Sequence, residues 1–249
     1  MGIVIKSERE IEIMRQAGRI VAETLAVVAE AVRPGITTHD LDDVTYRTIT
    51  KQGATPSFKG YRGYPASLCA SLNDEVVHGI PGKRVLKEGD VVSLDVGALY
   101  KGFHGDAALT VPVGKISRRT QALLDACKAG LSAGIFAARA GARVGDISAA
   151  VQTTVEAFGF SVVREYTGHG VGRNLHEDPL VPNVGQPQTG ALLRPGMTIA
   201  IEPMINLGSW EVVLRPNGWT VVTRDGSVSA HFEHTVAIRE GEAEILTKL

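Results

Sequence analysis

Leu86-Lys87-Glu88-Gly89-Asp90-Val91-Val92-Ser93-Leu94-Asp95 finds a counterpart 107 residues later in Leu193-Arg194-Pro195-Gly196-Met197-Thr198-Ile199-Ala200-Ile201-Glu202. In each stretch a leucine and a glycine-containing turn lead into a short apolar strand, and each strand is expected to end at an acid. A carboxylate is rarely buried unless it is paired, hydrogen-bonded or bound to a metal. The two stretches therefore bear on fold and chemistry together.

Outward from them, the flanking segments repeat as well. Ser7 with Glu10 reads as a capping box. Ile11, Met14, Ala17, Val21, Leu25, Val28 and Val32 follow at helical spacing, and Arg33-Pro34-Gly35 stops the helix. A second helix is expected over Thr38–Gln52, with Gly53 as terminator. The same pair returns as a long helix over Ser117–Arg139, a break at Ala140-Gly141, and a short helix over Asp146–Phe158 closed by Gly159. Here the offset is 106: Gly35 maps to Gly141, Asp40-Leu41 to Asp146-Ile147, and Gly53 to Gly159. Self-similarity at a fixed offset marks repeated units. The chain is accordingly read as a single domain over 1–249 with an internal duplication, approximately 7–113 and 114–240. Asn217-Gly218 and Asp225-Gly226 are hairpin signals. They make the sheet antiparallel and gather the helices on its outer face, an α+β architecture of two pseudo-symmetric halves.

Composition narrows the function classes. With 249 residues, 44% of them hydrophobic, the chain can bury a sizeable core. Its 26 basic and 27 acidic residues give a net charge of -1, which makes nucleic acid a poor partner. Cys69 and Cys127 lie far apart without CxxC spacing, which fits a reducing compartment rather than a disulfide scaffold. The N-terminus reaches Lys6-Ser7-Glu8-Arg9-Glu10 without the apolar core of a signal peptide. Lys6 also stands where a myristoylation pattern needs Ser or Thr. Apolar stretches such as Thr24–Val32 are interrupted well before bilayer length. A soluble, cytoplasmic protein without a membrane partner is expected.

The repeat directs attention to the acids. A turn through Tyr100-Lys101-Gly102 returns the chain to Asp106, so Asp95 and Asp106 can lie side by side across a hairpin. In the second half Glu233 sits in the strand-like run Ala230–Val236. Four carboxylates sharing a point repel unless positive charge stands between them. Two divalent ions would neutralise them and leave room for one imidazole. His169, in the loop Thr167-Gly168-His169-Gly170-Val171-Gly172, is the candidate, since glycines let the backbone turn sharply. Such a donor set suits Mn, Fe or Co better than a thiolate-type zinc site. Taken singly, each residue has a plainer reading. Asp95 or Asp106 reads as a turn or cap acid, Glu202 before Pro203 as a solvated strand end. The Gly168–Gly172 run fails the spacing of a dinucleotide loop.

Further motifs carry a resemblance. They are Gly63-Tyr64-Pro65-Ala66-Ser67, Asn73-Asp74-Glu75-Val76-Val77-His78-Gly79-Ile80-Pro81 and Ser93-Leu94-Asp95-Val96-Gly97. Gly105-Asp106, Gly168-His169-Gly170-Val171-Gly172-Arg173 with His176-Glu177, Ile201-Glu202-Pro203 and Phe232-Glu233-His234-Thr235 complete the series. In this order, from Ser7 to about Ile238, the chain resembles the type I methionine aminopeptidases, metallopeptidases of the pita-bread fold with a curved antiparallel sheet. The resemblance implies two divalent ions per chain (Co, Mn, Fe or Zn) on Asp95, Asp106, His169, Glu202 and Glu233. It implies Glu202 as general base, and His78 and His176 as substrate-touching residues. Tyr61, Tyr64, Cys69, Phe103 and Trp219 would wall an apolar methionine pocket.

The expected activity is removal of the initiator methionine from nascent polypeptides with a small second residue, at the ribosome, by a monomer needing no nucleic acid. On residues alone, His78 reads equally as a turn histidine, His176 as a surface imidazole, and Tyr64 and Trp219 as core aromatics. Leu175 stands where related enzymes often carry Phe or Met. Neither the zinc-binding N-terminal extension of some type I enzymes nor the helical insertion of the type II branch is expected. The alternatives are a proline-directed peptidase of the same fold, a non-catalytic binding module, and a metal phosphatase or nuclease. The last lacks a basic patch around the acids.

Overall fold

The computed structural model describes residues 2–249. Ser7 opens α1 (Glu8–Ala31) as expected: its hydroxyl accepts the Glu10 backbone N–H, and the Glu10 carboxylate accepts the Ser7 N–H. Thr37 and Asp40 open α2 (Thr38–Lys51) by the same reciprocal pair, and Ser117 caps α3 (Arg118–Ala137). The fourth helix, α4 (Val144–Ala157), begins two residues before the expected Asp146. Asp146 is its third residue and reaches back to the Arg143 N–H. The corresponding glycines Gly35 and Gly141, Gly53 and Gly159, and Gly89 and Gly196 all have φ between 73° and 92°. That region is cheap only for glycine.

Five strands come from the first half: β1 (Thr55–Pro56), β2 (Leu68–Leu72), β3 (Glu75–Val77), β4 (Val91–Tyr100) and β5 (Phe103–Pro112). The second half begins with β6 (Ser161–Val162), β7 (Thr167–Gly170), β8 (Glu177–Pro182), β9 (Thr198–Ile201) and β10 (Met204–Asn206). It continues with β11 (Val212–Leu214), β12 (Val221–Thr223), β13 (Ser229–His231), β14 (Glu233–Ala237) and β15 (Glu244–Ile245). The main sheet runs β1-β4-β5-β14-β9-β7-β8, with β2 also on β4 and β15 on β14. Two three-stranded sheets, β13-β10-β6 and β11-β12-β3, flank it. The strand pairs are antiparallel, as expected. The two halves of the chain join at β5 and β14, where Ala108 faces Glu233 and Ala107 faces His234.

Two expectations about strands need correction. Asp95 does not end its strand: β4 continues to Tyr100, and Asp95 lies in mid-strand. Only Glu202 stands just past a strand end, because the residue after it is Pro203, which has no N–H for a ladder. Asn217-Gly218 does join a hairpin, β11 to β12. Asp225-Gly226 turns the chain between β12 and β13, which lie in different sheets, so it is no hairpin.

Alternation decides which face is which. Val92, Leu94, Val96 and Ala98 pack with Val21, Leu25 and Val28 of α1 in one core cluster. Successive strand side chains point to opposite faces, so Ser93, Asp95 and Gly97 face away from the helices. A second cluster joins Leu123, Cys127 and Leu131 of α3 and Ile147 and Val151 of α4 to Ile199, Ile201 and Val236. The helices cover one face, and the other is left for the acids.

Close approach holds α1 in place. A Cβ added at Gly18 would lie 2.2 Å from the Leu246 carbonyl oxygen, and one at Gly105 would lie 2.8 Å from the Gly18 nitrogen. Replacing an unhindered helix glycine by alanine gains about 1 kcal/mol. Gly18→Ala is expected instead to cost about 1–3 kcal/mol through overpacking, read from the urea midpoint at constant slope. An unchanged or raised midpoint would contradict this packing of α1 against the C-terminal segment.

Candidate metal centre

A cavity of about 590 Å³ opens beside the seam, and Asp95, Asp106, His169, Glu202 and Glu233 all line it. The register explains why. Asp95 pairs with Ala108, and Ala108 pairs on its other side with Glu233. Asp106 pairs with Gly97, two residues from Asp95, so the two acids lie diagonally across the β4–β5 hairpin on one face. His234 pairs with Ile201, which sets Glu202 beside Glu233. His169 arrives on β7, which meets β9 at Gly170 and Ile199.

Hydrogen bonds fix these positions. The Thr235 hydroxyl accepts the Asp106 N–H at 3.1 Å and donates to the Asp106 carbonyl at 2.7 Å. His169 Nδ1 lies 2.8 Å from the Gly170 carbonyl. A carbonyl only accepts, so Nδ1 carries the proton and Nε2 presents its lone pair. That Nε2 is 3.5 Å from Glu202 Oε1 and 4.0 Å from Asp106 Oδ2. The glycines around His169 have a different purpose from the expected sharp turn. Thr167–Gly170 is a strand, and a Cβ at Gly168 would lie 2.3 Å from the Ala200 carbonyl oxygen. They permit close strand packing.

The electrostatics ask for a cation. Burial foremost, and neighbouring carboxylates after it, raise the proton affinity of Asp106, Glu202 and Glu233 well above the ordinary range. Burial brings Asp95 up to about 7. Burial also lowers the pKa of His169, keeping its imidazole neutral. Asp95 Oδ1, Asp106 Oδ1 and Glu233 Oε1 are buried without a hydrogen-bond partner. Among the described residues, the basic side chains within 4.0 Å of Asp106, Glu202 or Glu233 are His169 and His231 alone. Orphaned oxygens and the neutral His169 imidazole facing one space fit a divalent ion. Two groups bring donor atoms within 4.8 Å of one another: Asp106, His169 and Glu233, and Glu202, His231 and Glu233. The second includes His231, which sequence reasoning passed over. Its position two residues before Glu233 in a strand was the available signal.

The remaining predicted residues also converge, with one exception. His78 lines the cavity with φ +59°, an unusual backbone for a non-glycine residue. Burial brings its pKa down to about 4. His176 stacks on Tyr61 with ring centroids 5.2 Å apart, its Nδ1 2.9 Å from the Tyr61 hydroxyl, and its ring centroid is 4.1 Å from that of His169. Tyr61, Tyr64, Cys69 and Trp219 form one apolar cluster with Phe58 and Leu175. Phe103 is not in it. Three residues from Asp106 along β5, Phe103 points to the opposite face, where it packs with Ile11 and Met14 of α1. Phe58 and Tyr166 line the cavity and were missed. So was buried Lys6, whose Nζ is 2.5 Å from Glu177 Oε2, tying the N-terminal segment to the neighbour of His176.

Sheet, cavity and acidic cluster together define a protein built around a divalent-metal site. The sequence pattern of metallopeptidase family M24 matches residues 12–240. Over 247 residues the chain is 53% identical to methionine aminopeptidase 1 of Bacillus subtilis, covering 99% of this chain and 100% of that one. A crystal structure of methionine aminopeptidase from Thermotoga maritima superposes with a TM-score of 0.98 at 51% identity, covering 100% of both chains. Prolidase from Pyrococcus furiosus, at 22% identity and a TM-score of 0.79, shares the fold over 99% of this chain and 66% of its own. The chain belongs to metallopeptidase family M24 and, within it, to the methionine aminopeptidases.

The raised carboxyl pKa values fix the sign of a pH effect. Unfolding returns these acids to ordinary values near 4, so the unfolded chain binds fewer protons than the folded one. Their contribution to the stability of the metal-free protein is complete below pH 4 and lost as pH rises through the folded values, about 7 for Asp95. Chelator-treated protein is therefore expected to show a lower urea midpoint at pH 8.5 than at pH 7, a window above the ordinary histidine value in which the buried histidines, neutral when folded, add little opposing slope. Added Mn²⁺ should oppose that decline, since ions compete with protons for the same oxygens. A metal-free midpoint that rises over this range would contradict the burial of the acids.

Proposed function

We propose that the chain removes the N-terminal methionine from proteins whose second residue is small, as a metal-dependent exopeptidase. One observation carries the reading: Cys69, in the apolar cluster, is the direct strand partner of Asp95. An apolar pocket therefore adjoins the acidic centre with no residue between. Phe58, Tyr64, Cys69, Leu175 and Trp219 offer an unbranched thioether the aromatic and soft contacts that methionine favours.

Two divalent ions fit the donor set. One would be held largely by Asp95 and Asp106 and the other by His169 and Glu202, with Asp106 and Glu233 shared. The donor set accepts Co, Mn, Fe or Zn. When bound, such ions supply the positive charge that acidifies water and polarises a carbonyl.

The chain's own residues then divide the work. Glu202 accepts the proton of the attacking water and later returns it to the leaving amine. Tyr61 donates its hydroxyl hydrogen to His176 Nδ1, which leaves the His176 Nε2–H free to donate to the developing oxyanion. His78, neutral, contacts the scissile amide nitrogen. The free α-amine lies beside Asp95, so a blocked N-terminus has no place.

The duplication over about 7–113 and 114–240 belongs to this reading. It is supported by the repeated order of helices, glycines and strands. Nascent polypeptides at the ribosome in the cytoplasm are the proposed partners, met by a monomer. No helix among the described residues is long and apolar enough to cross a membrane.

Metal-stripped protein given Met-Ala-Ser, Met-Leu-Ser and Nα-acetyl-Met-Ala-Ser, with and without Mn²⁺ or Co²⁺, tests the proposal. Methionine is expected only from the free Ala peptide and only with metal, and Glu202→Gln should lower kcat by roughly 10²–10⁴-fold. Metal-dependent release from the acetylated peptide, or none from protein shown to hold ions, would overturn it.

A further inference from the structure

We propose that His231 holds the carboxylates of Glu202 and Glu233 from behind. Its Nε2–H would donate to the Oε2 atom of each, so that their Oε1 atoms are presented to the ions. The inference rests on the metal-centre reading above. His231 Nε2 is buried without a hydrogen-bond partner and lies 3.8 Å from both Oε2 atoms. That is about 0.9 Å beyond an ordinary N–H···O contact.

Three observations assign the ring this place. Glu202 shows Oε1 to His169 at 3.5 Å and Oε2 to His231 at 3.8 Å, so the two imidazoles address different oxygens of one carboxylate. The five predicted ligands line the cavity and His231 does not, which puts it behind the acids rather than facing an ion. With ions bound both acids are carboxylates, and a bare nitrogen lone pair aimed at them is repelled whereas an N–H is attracted, so the hydrogen belongs on Nε2. His169 shows the opposite arrangement, its hydrogen held on Nδ1 by the Gly170 carbonyl.

The backbone of His231 is fixed on both sides. Thr110 Oγ1 accepts the His231 N–H at 2.9 Å and donates to the His231 carbonyl at 2.8 Å. With the Thr110 hydrogen committed, Ser93 supplies the hydrogen in its own 2.8 Å contact to Thr110. Thr235 grips Asp106 by the same double bond, so two threonines, on β5 and β14, fix one residue each across the seam. His231 is a positioning residue on this account, and removing such an outer partner typically costs 10–100-fold in metal affinity.

Calorimetric titration of chelator-stripped full-length protein with Zn²⁺ tests this, alongside ¹⁵N-imidazole NMR of the Zn²⁺-loaded wild type. His231→Leu is expected to bind Zn²⁺ about 10- to 100-fold more weakly. His231→Gln should stay close to wild type, because its amide nitrogen keeps a donor, and it assigns the His231 signals by their loss. In wild type those signals should place the proton on Nε2. Unchanged affinity in the Leu variant, a Gln variant as weak as Leu, or a proton on Nδ1 would overturn the proposal. Should the Leu variant not fold, the wild-type spectrum and the Gln variant decide. Wild type that takes up no Zn²⁺ would overturn the metal-centre reading itself, and this inference with it.

Discussion

Mutual repulsion among Asp95, Asp106, Glu202 and Glu233 is the constraint from which the rest of the molecule follows. Like charges gathered in a buried space are tolerated only as shared protons or around a cation. The fold accepts that cost because Asp95, Asp106 and Glu233 lie on strands, and Glu202 just past one, whose other face is committed to a helix-covered core. Two of them stand on the first-half hairpin β4–β5, and Glu233 opens β14 of the second half. The site therefore exists only when β5 meets β14 in the correct register. A slip of β14 by one residue would send Glu233 to the helical face, away from Asp95 and Asp106. Hydrophobic packing, strand pairing and chemistry are settled by the same alignment.

Much of this was legible in the sequence, for reasons that are local. A capping box is written within four residues, so Ser7 with Glu10 located the start of α1. A left-handed turn needs glycine, so Gly35, Gly53, Gly141 and Gly159 marked helix ends. The candidate ligands were reachable because acids in apolar strands are conspicuous and the repeat pairs Asp95 with Glu202. What failed was non-local. Asp95 looked terminal because Val96-Gly97-Ala98 carries no strong strand signal of its own, yet β5 pairs with all of it, and β2 at Val96 and β1 at Ala98 pair on the other side. Phe103 was assigned to the pocket by resemblance, and only its parity with Asp106 places it on the other face. Asp225-Gly226 had the chemistry of a hairpin turn, but whether flanking strands pair is decided by the whole sheet. His231 was passed over because its one local signal, standing two residues before Glu233, gains meaning only when its neighbours across the seam are known.

The proposed methionine pocket rests on different elements from the acids, and this separates the two tasks. The apolar cluster of Phe58, Tyr64, Cys69 and Leu175 is built from β2 and loops around it. Loops carried by a rigid scaffold are common places for specificity to vary. The loop holding Leu175 and His176 is tied down by buried Lys6 through Glu177, which also accepts the Asn174 N–H at 3.1 Å. A buried ion pair contributes little net stability, and here its evident effect is to order the segment between the pocket and the acids. The five candidate ligands can thus stay fixed while the pocket wall changes.

The central claim is that these acids and His169 form a two-ion centre at the seam. Anomalous scattering from crystals of the Mn²⁺-loaded protein, recorded at the manganese edge, tests it most directly. The account predicts two peaks in the cavity, bounded by Asp95, Asp106, His169, Glu202 and Glu233 and by no other side chain. Peaks elsewhere, or a cavity without manganese while the protein is folded and metal is in excess, would contradict it.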